Sequence, residues 1–221
     1  MKLMALSTSG PVASVALYAE DSQKGVWFGA AGRAHSETLF ITIDDALGEA
    51  GMQMNEFDAF AVDVGPGSFT GVRIGVSAAN ALAYACGCSV IEVDSLTALY
   101  HNASKEPRVC ALLDARNGNG YASLFLEGKS VGPEAVSIAE YLKAVPENTL
   151  FLGDGAELHA TLIRELTKSP HFAPEKNMLS ALGVIDAAIQ KLSSGDRVRA
   201  ATPLYLRPSQ AERMYETRYG H

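Results

Sequence analysis

The stretch Gly65-Pro66-Gly67-Ser68-Phe69-Thr70-Gly71-Val72-Arg73-Ile74-Gly75 holds the densest set of groups in this chain that could do chemistry. Gly65 and Gly67 lack a Cβ, so a loop built on them leaves backbone N–H groups bare. A helix starting near Ser68 or Thr70 adds an electropositive end, with either hydroxyl as its cap. Such an arrangement can receive an anion, which makes Gly65, Gly67, Ser68 and Thr70 candidate phosphate- or nucleotide-binding residues. It is not a Walker A loop, because no Lys-Ser or Lys-Thr pair follows. Gly65, Gly67 and Gly71 read G-x-G-x-x-x-G, one position off the dinucleotide fingerprint, and no acidic residue is placed for a ribose. Phosphate docking and a plain strand-to-helix turn both fit these residues. Arg73 sharpens the question. A cation in the first turns of a helix opposes its dipole, at a cost of roughly 0.3–1 kcal/mol. An anion, a partner carboxylate or a local acidic neighbour would offset that.

The second candidate is His35-Ser36-Glu37, which combines a base, a hydroxyl and a carboxylate. If Ser36 caps a helix its hydroxyl is occupied, and Glu37 then sits where a carboxylate favours the dipole, so capping explains the triplet without catalysis. His101, His159, His171 and His221 are scattered, without the paired spacing of a metal site. Cys86, Cys88 and Cys110 form no zinc pattern and read as inert thiols in a reducing compartment.

The elements that must position these residues follow from periodicity. Phe57 to Val64 reads as a buried strand feeding the glycine loop, and Thr70 to about Ala85 as a helix rich in Gly and Ala. Glycine inside a helix costs about 1 kcal/mol relative to alanine, so Gly71 and Gly75 imply close packing, either on the chain's own sheet or on another molecule. Before the loop, Leu3–Leu6, Val12–Tyr18 and Gly25–Ala31 read as an antiparallel meander, with a polar turn at Asp21–Lys24. A helix from Glu37 to Ala50 carries Leu39, Ile43, Leu47 and Ala50 at helical spacing, with Phe40 and Ile41 off that stripe, so a second neighbour is expected. After the loop come a strand at Ser89–Val93 and a helix capped by Asp94 or Ser95. Ser104-Lys105-Glu106-Pro107 is the expected boundary between lobes spanning residues 1–104 and 105–221. Beyond it, Arg108–Asp114 and Gly120–Leu126 form a hairpin around Asn117-Gly118. Helices are expected at Ser137–Ala144, Glu157–Leu166 and Leu179–Ser193, a strand at Leu150–Leu152, and a polar tail from Leu204. Both halves read as strands, helix, strand, which suggests a duplicated architecture.

The chain has 221 residues, 48% hydrophobic and 19% charged, as expected of an ordinary globular protein with a normal core. Its net charge of −7 disfavours a stand-alone RNA-binding module. No signal-like start and no membrane-length apolar run is visible, so a cytoplasmic location is expected.

Several blocks in order resemble the bacterial TsaB (YeaZ) family. They are Thr8-Ser9 with Ser14-Val15-Ala16-Leu17, Arg33-Ala34-His35-Ser36-Glu37-Thr38-Leu39, the loop Gly65 to Gly75, Asp94-Ser95-Leu96, Asp114-Ala115-Arg116 and Tyr205-Leu206-Arg207. The resemblance implies an α/β fold of two actin/sugar-kinase-like (ASKHA, ribonuclease H-like) lobes, each a mixed five-stranded sheet with helices. It implies a non-catalytic subunit of tRNA threonylcarbamoyladenosine (t6A) biosynthesis that binds the catalytic TsaD subunit and works with the ATPase TsaE. It further implies a homodimer when alone, contact with tRNA only through the complex, and no membrane. No tightly bound cofactor or metal is implied, with ATP or ADP at the TsaD interface. The family's docking surface maps onto the two helices, through Leu39, Phe40, Ile43, Leu47, Gly71, Arg73, Ile74, Gly75, Ala78 and Leu82. On that reading Gly75→Leu blocks association and leaves the monomer folded.

The chain also departs from the family. Ser7 stands where the first strand usually ends in Asp, and Asn117-Gly118-Asn119-Gly120-Tyr121 replaces the usual continuation of Asp-Ala-Arg. The alternative is an autonomous hydrolase or phosphotransferase in the inter-lobe cleft. That reading needs a carboxylate from Asp63, Asp94 or Asp114 in place of the one Ser7 lacks.

Overall fold

The computed structural model describes residues 1–20, 22–103, 106–193 and 195–208. Its strands form two five-stranded sheets with one and the same topology. In the first, β1 (Lys2–Ser7), β2 (Ser14–Ala19) and β3 (Ser22–Phe28) make an antiparallel meander. The strands β4 (Ala59–Asp63) and β5 (Ser89–Val93) then add in parallel beside β1, giving the order β3-β2-β1-β4-β5. In the second, β6 (Arg108–Asp114), β7 (Asn119–Leu126) and β8 (Lys129–Ser137) repeat the meander. There β9 (Leu150–Leu152) and β10 (His171–Phe172) repeat the parallel additions, giving β10-β9-β6-β7-β8. The expected two mixed five-stranded lobes are therefore present.

Alternation along the strands sorts side chains into layers. Met4 and Leu6 of β1 join Phe60, Val62, Leu39, Ile43, Val72 and Val76 under α1 (His35–Ala50) and α2 (Phe69–Cys86). Leu3 and Ala5 face the other way, toward α3 (Ser95–Tyr100). The outer face of the second sheet, with Cys110, Leu112 and Phe151, is covered by α4 (Ile138–Leu142), α5 (Asp154–Leu158) and α6 (Ala160–Leu166). Between the sheets, α3 and α7 (Ala181–Ser193) share one core with Val109, Ala111 and Leu113 of β6. Each fully buried Leu, Ile or Phe in these layers contributes about 1.5–3 kcal/mol.

The chain does not stay in its second lobe once it has entered it. Helix α7 packs on β1, β2, β4 and β5 of the first sheet. Val198 then bridges to Val90, Asn80 exchanges two hydrogen bonds with the Ala201 backbone, and Leu204 N donates to Val64 O. Residues 181–208 thus return to the first lobe. The expected boundary at Ser104-Lys105 lies outside the described residues, as do Asp21 and the tail beyond Pro208.

Other elements differ from the sequence reading for local reasons. Strand β8 was not expected, because its residues are mostly exposed and show no alternation. The expected helix Glu157–Leu166 is two short helices, broken at His159. Ser36 does not cap α1: the N-cap is Ala34, without a side-chain bond, and Ser36 lies inside the first turn. Ser68 does cap α2, accepting from Gly71 N, and Asp94 caps α3, accepting from Thr97 N. Among the described residues no helix is long and apolar enough to cross a membrane.

Candidate functional site

The glycine loop turns its first donors inward. Gly65 N donates to Asp63 Oδ1 at 3.0 Å, Ser68 N to Ser9 O at 2.9 Å, and Ser68 Oγ caps the helix through Gly71 N. A Cβ on Gly67 would lie 2.7 Å from Ser9 O, one on Gly71 2.0 Å from Thr8 O, and one on Gly75 2.4 Å from Thr8 Oγ1. Thr8 Oγ1 in turn donates to Gly71 O at 2.7 Å. These glycines let α2 clasp the chain's own β1–β2 turn. That corrects the assignment of Gly71 and Gly75 to a partner surface, since both are buried against Thr8.

Beneath the loop lies a buried carboxylate. Asp63, at the end of β4, is fully enclosed and accepts from Ser7 Oγ at 2.8 Å, Ser95 Oγ at 2.6 Å, Ser9 Oγ and Gly65 N. Burial pushes its carboxyl above the ordinary carboxylate range, against the pull of those four donors. The knot joins β1, the β1–β2 turn, β4 and the start of α3. Ser7 takes part as a donor to a carboxylate that is already there.

The two lobes enclose a cleft of about 820 Å³. Its first-lobe wall is Ser9 to Pro11, His35 and Pro66 to Thr70, its second-lobe wall includes Asp114, Arg116, Tyr121 and Asp154, and Leu204 to Pro208 line it as well. Of the three carboxylates weighed as replacements at Ser7, Asp63 is sealed away and Asp94 is engaged as a cap, which leaves Asp114 at the cleft. Asp114 Oδ1 lies 3.1 Å from His159 Nε2, and Asp154 Oδ1 accepts from Asp114 N at 3.0 Å. Burial first, and then the Asp114 charge, raises the Asp154 carboxyl above its ordinary range. His35 does not join Ser36 and Glu37: its Nε2 lies 3.0 Å from Gly10 O, while the other two are exposed. Among the described residues no group of three or more His, Cys, Asp or Glu is arranged to hold a metal ion. The sequence singled out neither His159 nor Asp154, since His159 stands 45 residues from Asp114.

The expected docking residues divide in two. Leu39, Ile43, Gly71, Gly75 and Ala78 are covered by the chain's own core, a correction to their place on a partner surface. Leu47, Ile74 and Leu82 are half-buried. What faces solvent is Phe40 (52% exposed) and Ile41 (59%) on α1, with Tyr84 (90%) on α2. Exposed Arg73, Ser77, Ala81 and Tyr84 share one stripe of α2 at helical spacing. Arg73 has no acidic neighbour in the first turn, its guanidinium lies 4.1 Å from the Phe69 ring centroid, and its Nε donates to Tyr205 OH at 2.7 Å.

The family model described as TsaD, tRNA N6-adenosine threonylcarbamoyltransferase, matches residues 13–214. The tRNA threonylcarbamoyladenosine biosynthesis protein TsaB of Bacillus subtilis is 28% identical over 96% of this chain and 96% of its own length. The solved structure of YeaZ from Pseudomonas aeruginosa superposes with a TM-score of 0.79 at 27% identity, covering 93% of this chain and 99% of that one. The chain belongs to the TsaB (YeaZ) family. As a TsaB-family protein it is a subunit of t6A biosynthesis. An inorganic polyphosphate/ATP-glucomannokinase from Arthrobacter superposes over 87% of this chain and 99% of that one, with a TM-score of 0.51 at 11% identity, which shows the shared fold alone. In TsaB terms, the Gly65–Gly75 block is the clasp on the β1–β2 turn, Asp114-Ala115-Arg116 is the second-lobe wall of the cleft, and Tyr205 is the residue against Arg73.

Proposed function

We propose that this chain is a non-catalytic subunit that docks on TsaD through the outward faces of α1 and α2. It acts there with the ATPase TsaE, in the cytoplasm, and meets tRNA only through the complex. The observation that carries the reading is the exposure of Phe40, Ile41 and Tyr84, three large side chains left in solvent on α1 and α2, two helices in contact with each other. Isolated exposed apolar residues are ordinary, whereas exposed apolar side chains on two neighbouring helices, one of them rich in small residues, suit close approach of another helix. A stable contact buries about 1,200–2,000 Å² in total, and in the absence of TsaD a second copy of the chain would cover the same face. ATP or ADP would sit at the shared interface against Gly67, Ser68 and Thr70, which line the cleft, rather than against buried Gly65. Mass measurement of the chain mixed with its TsaD homologue, with and without nucleotide, tests this. The expected result is a heteromeric complex that the double variant Phe40→Asp, Tyr84→Asp does not form while keeping its circular dichroism. A parent chain that forms no complex would end the reading.

One observation favours a second reading, an autonomous hydrolase or phosphotransferase. Asp114 lines the cleft with His159 Nε2 3.1 Å from its Oδ1, a pair that could relay a proton. ATP turnover by the purified chain alone, lost in Asp114→Asn, would support it over the scaffold.

A further inference from the structure

We propose that Tyr205 is a positioning residue that fixes the Arg73 guanidinium for an acidic side chain on the docked TsaD protein. This rests on the docking reading above and adds the chemistry of the contact. Arginine normally samples many rotamers, and binding it in one geometry costs that freedom. Here the freedom is removed beforehand. Arg73 Nε donates to Tyr205 OH at 2.7 Å, its guanidinium lies 4.1 Å from the Phe69 ring centroid, and Phe69 and Tyr205 stack with centroids 4.5 Å apart. Tyr205 is itself placed by the returning segment, which is tied through Ala201 to Asn80, Thr202 N to Glu92 Oε1 and Leu204 N to Val64 O.

Among the described residues the charge of Arg73 is left unanswered. No acidic residue lies in the first turn of α2, and Arg73 has no carboxylate partner among the described residues. A cation at that end of a helix opposes the dipole, so an anion from outside is the complement that settles both. The planar edge of the guanidinium matches a carboxylate, which it can hold through two parallel bonds. A protein carboxylate fits better than a nucleic-acid phosphate. Arg73 begins the stripe that ends at exposed Tyr84, while the neighbouring α1 exposes Asp44, Asp45 and Glu49, which repel a polyanion. The sequence motif Tyr205-Leu206-Arg207 thereby gains a role at the docking face.

The test is calorimetric titration of the full chain against its TsaD homologue at two salt concentrations. The variants are Tyr205→Phe, Arg73→Lys, Arg73→Ala and the double variant Arg73→Ala, Tyr205→Phe. Tyr205→Phe, which keeps the stacked ring, should weaken binding roughly three- to tenfold, and Arg73→Ala roughly ten- to hundredfold with a shallower salt dependence. The double variant should bind no worse than Arg73→Ala, and Arg73→Lys should not restore the parent affinity. Undiminished binding by Tyr205→Phe would overturn the proposal. So would a Tyr205→Phe loss that persists in the Arg73→Ala background, which marks a merely structural role. Loss confined to tRNA filter binding, or to self-association of the chain alone, would also overturn it. A parent chain that does not bind TsaD defeats the docking reading itself, whereas tight parent binding with a neutral Arg73→Ala defeats this proposal alone.

Discussion

The two lobes are built on the same strand order, yet one encloses the end of its central strand and the other leaves it at the cleft. In the first, β1 ends in Ser7 beside Asp63, and the pair is buried under the glycine loop with every carboxylate oxygen engaged. In the second, the corresponding strand β6 ends in Asp114 beside Asp154, and both line the cleft with His159 against Asp114. A shared topology therefore fixes where strand-end residues meet. It does not fix whether they meet in protein or at a water-accessible cleft. The first lobe has spent its strand end on holding a turn, a loop and two helices together, and the second has kept its strand end accessible.

The contrast can be broken most severely at the clasp. Gly75→Leu drives its side chain into Thr8, and we expect a loss on the order of 4 kcal/mol in urea unfolding, with little folded monomer left for any partner to bind. This replaces the expectation that the variant blocks association alone, and parent-like unfolding would return Gly75 to the surface. Next in size is Asp63→Ala, which strands three hydroxyls and one N–H and should cost about 3 kcal/mol. Asp114→Ala at the cleft should stay within about 1 kcal/mol by the same measurement. Equal losses at the two sites would erase the difference between the lobes.

Ser7→Asp tests the same point by addition. It sets a second carboxylate against buried Asp63, within 3 Å of the present contact, and should lower stability by about 2 kcal/mol at neutral pH, recovering as the pH falls. The smallest effect is the pH dependence of Asp63 in the parent chain. Its folded carboxyl titrates above the ordinary 3.8, so the folded state binds more protons between the two values. Stability should then fall as pH rises from about 3.8 through the raised value, and level off above it. Urea midpoints for the parent and Asp63→Asn across that window read this directly, and a constant gap between them would remove desolvation as the cause.

Much of the fold could be read from local pattern. The runs Leu3–Leu6, Ala59–Asp63 and Arg108–Asp114 are strands, and the helices around Leu39–Leu47 and Val72–Ala83 sit where apolar spacing placed them. Ser68, one of the two residues offered as a cap, does cap its helix, because a cap depends only on residues three apart. Strand β8 escaped because an exposed edge strand shows no alternation to detect. Exposure could be read from the sequence at only some of the expected docking residues. The sequence marked Phe40 and Arg73, but it also marked Leu39, Ile43, Gly71 and Gly75, which the protein covers itself. Helical periodicity identifies an apolar face without naming the molecule that will cover it.

The sequence by itself determined most of the elements, the tight loop and the duplicated plan, and narrowed two of the caps, since each depends on residues within a few positions of one another. Only the tertiary structure decided which carboxylate is sealed, which glycines are filled by the chain's own turn, and that Tyr205 meets Arg73 across 132 residues. Those outcomes depend on strand register and on the return of α7 and the segment after it to the first sheet. Register and return are properties of the whole packed chain, and no local pattern of residue types carries them.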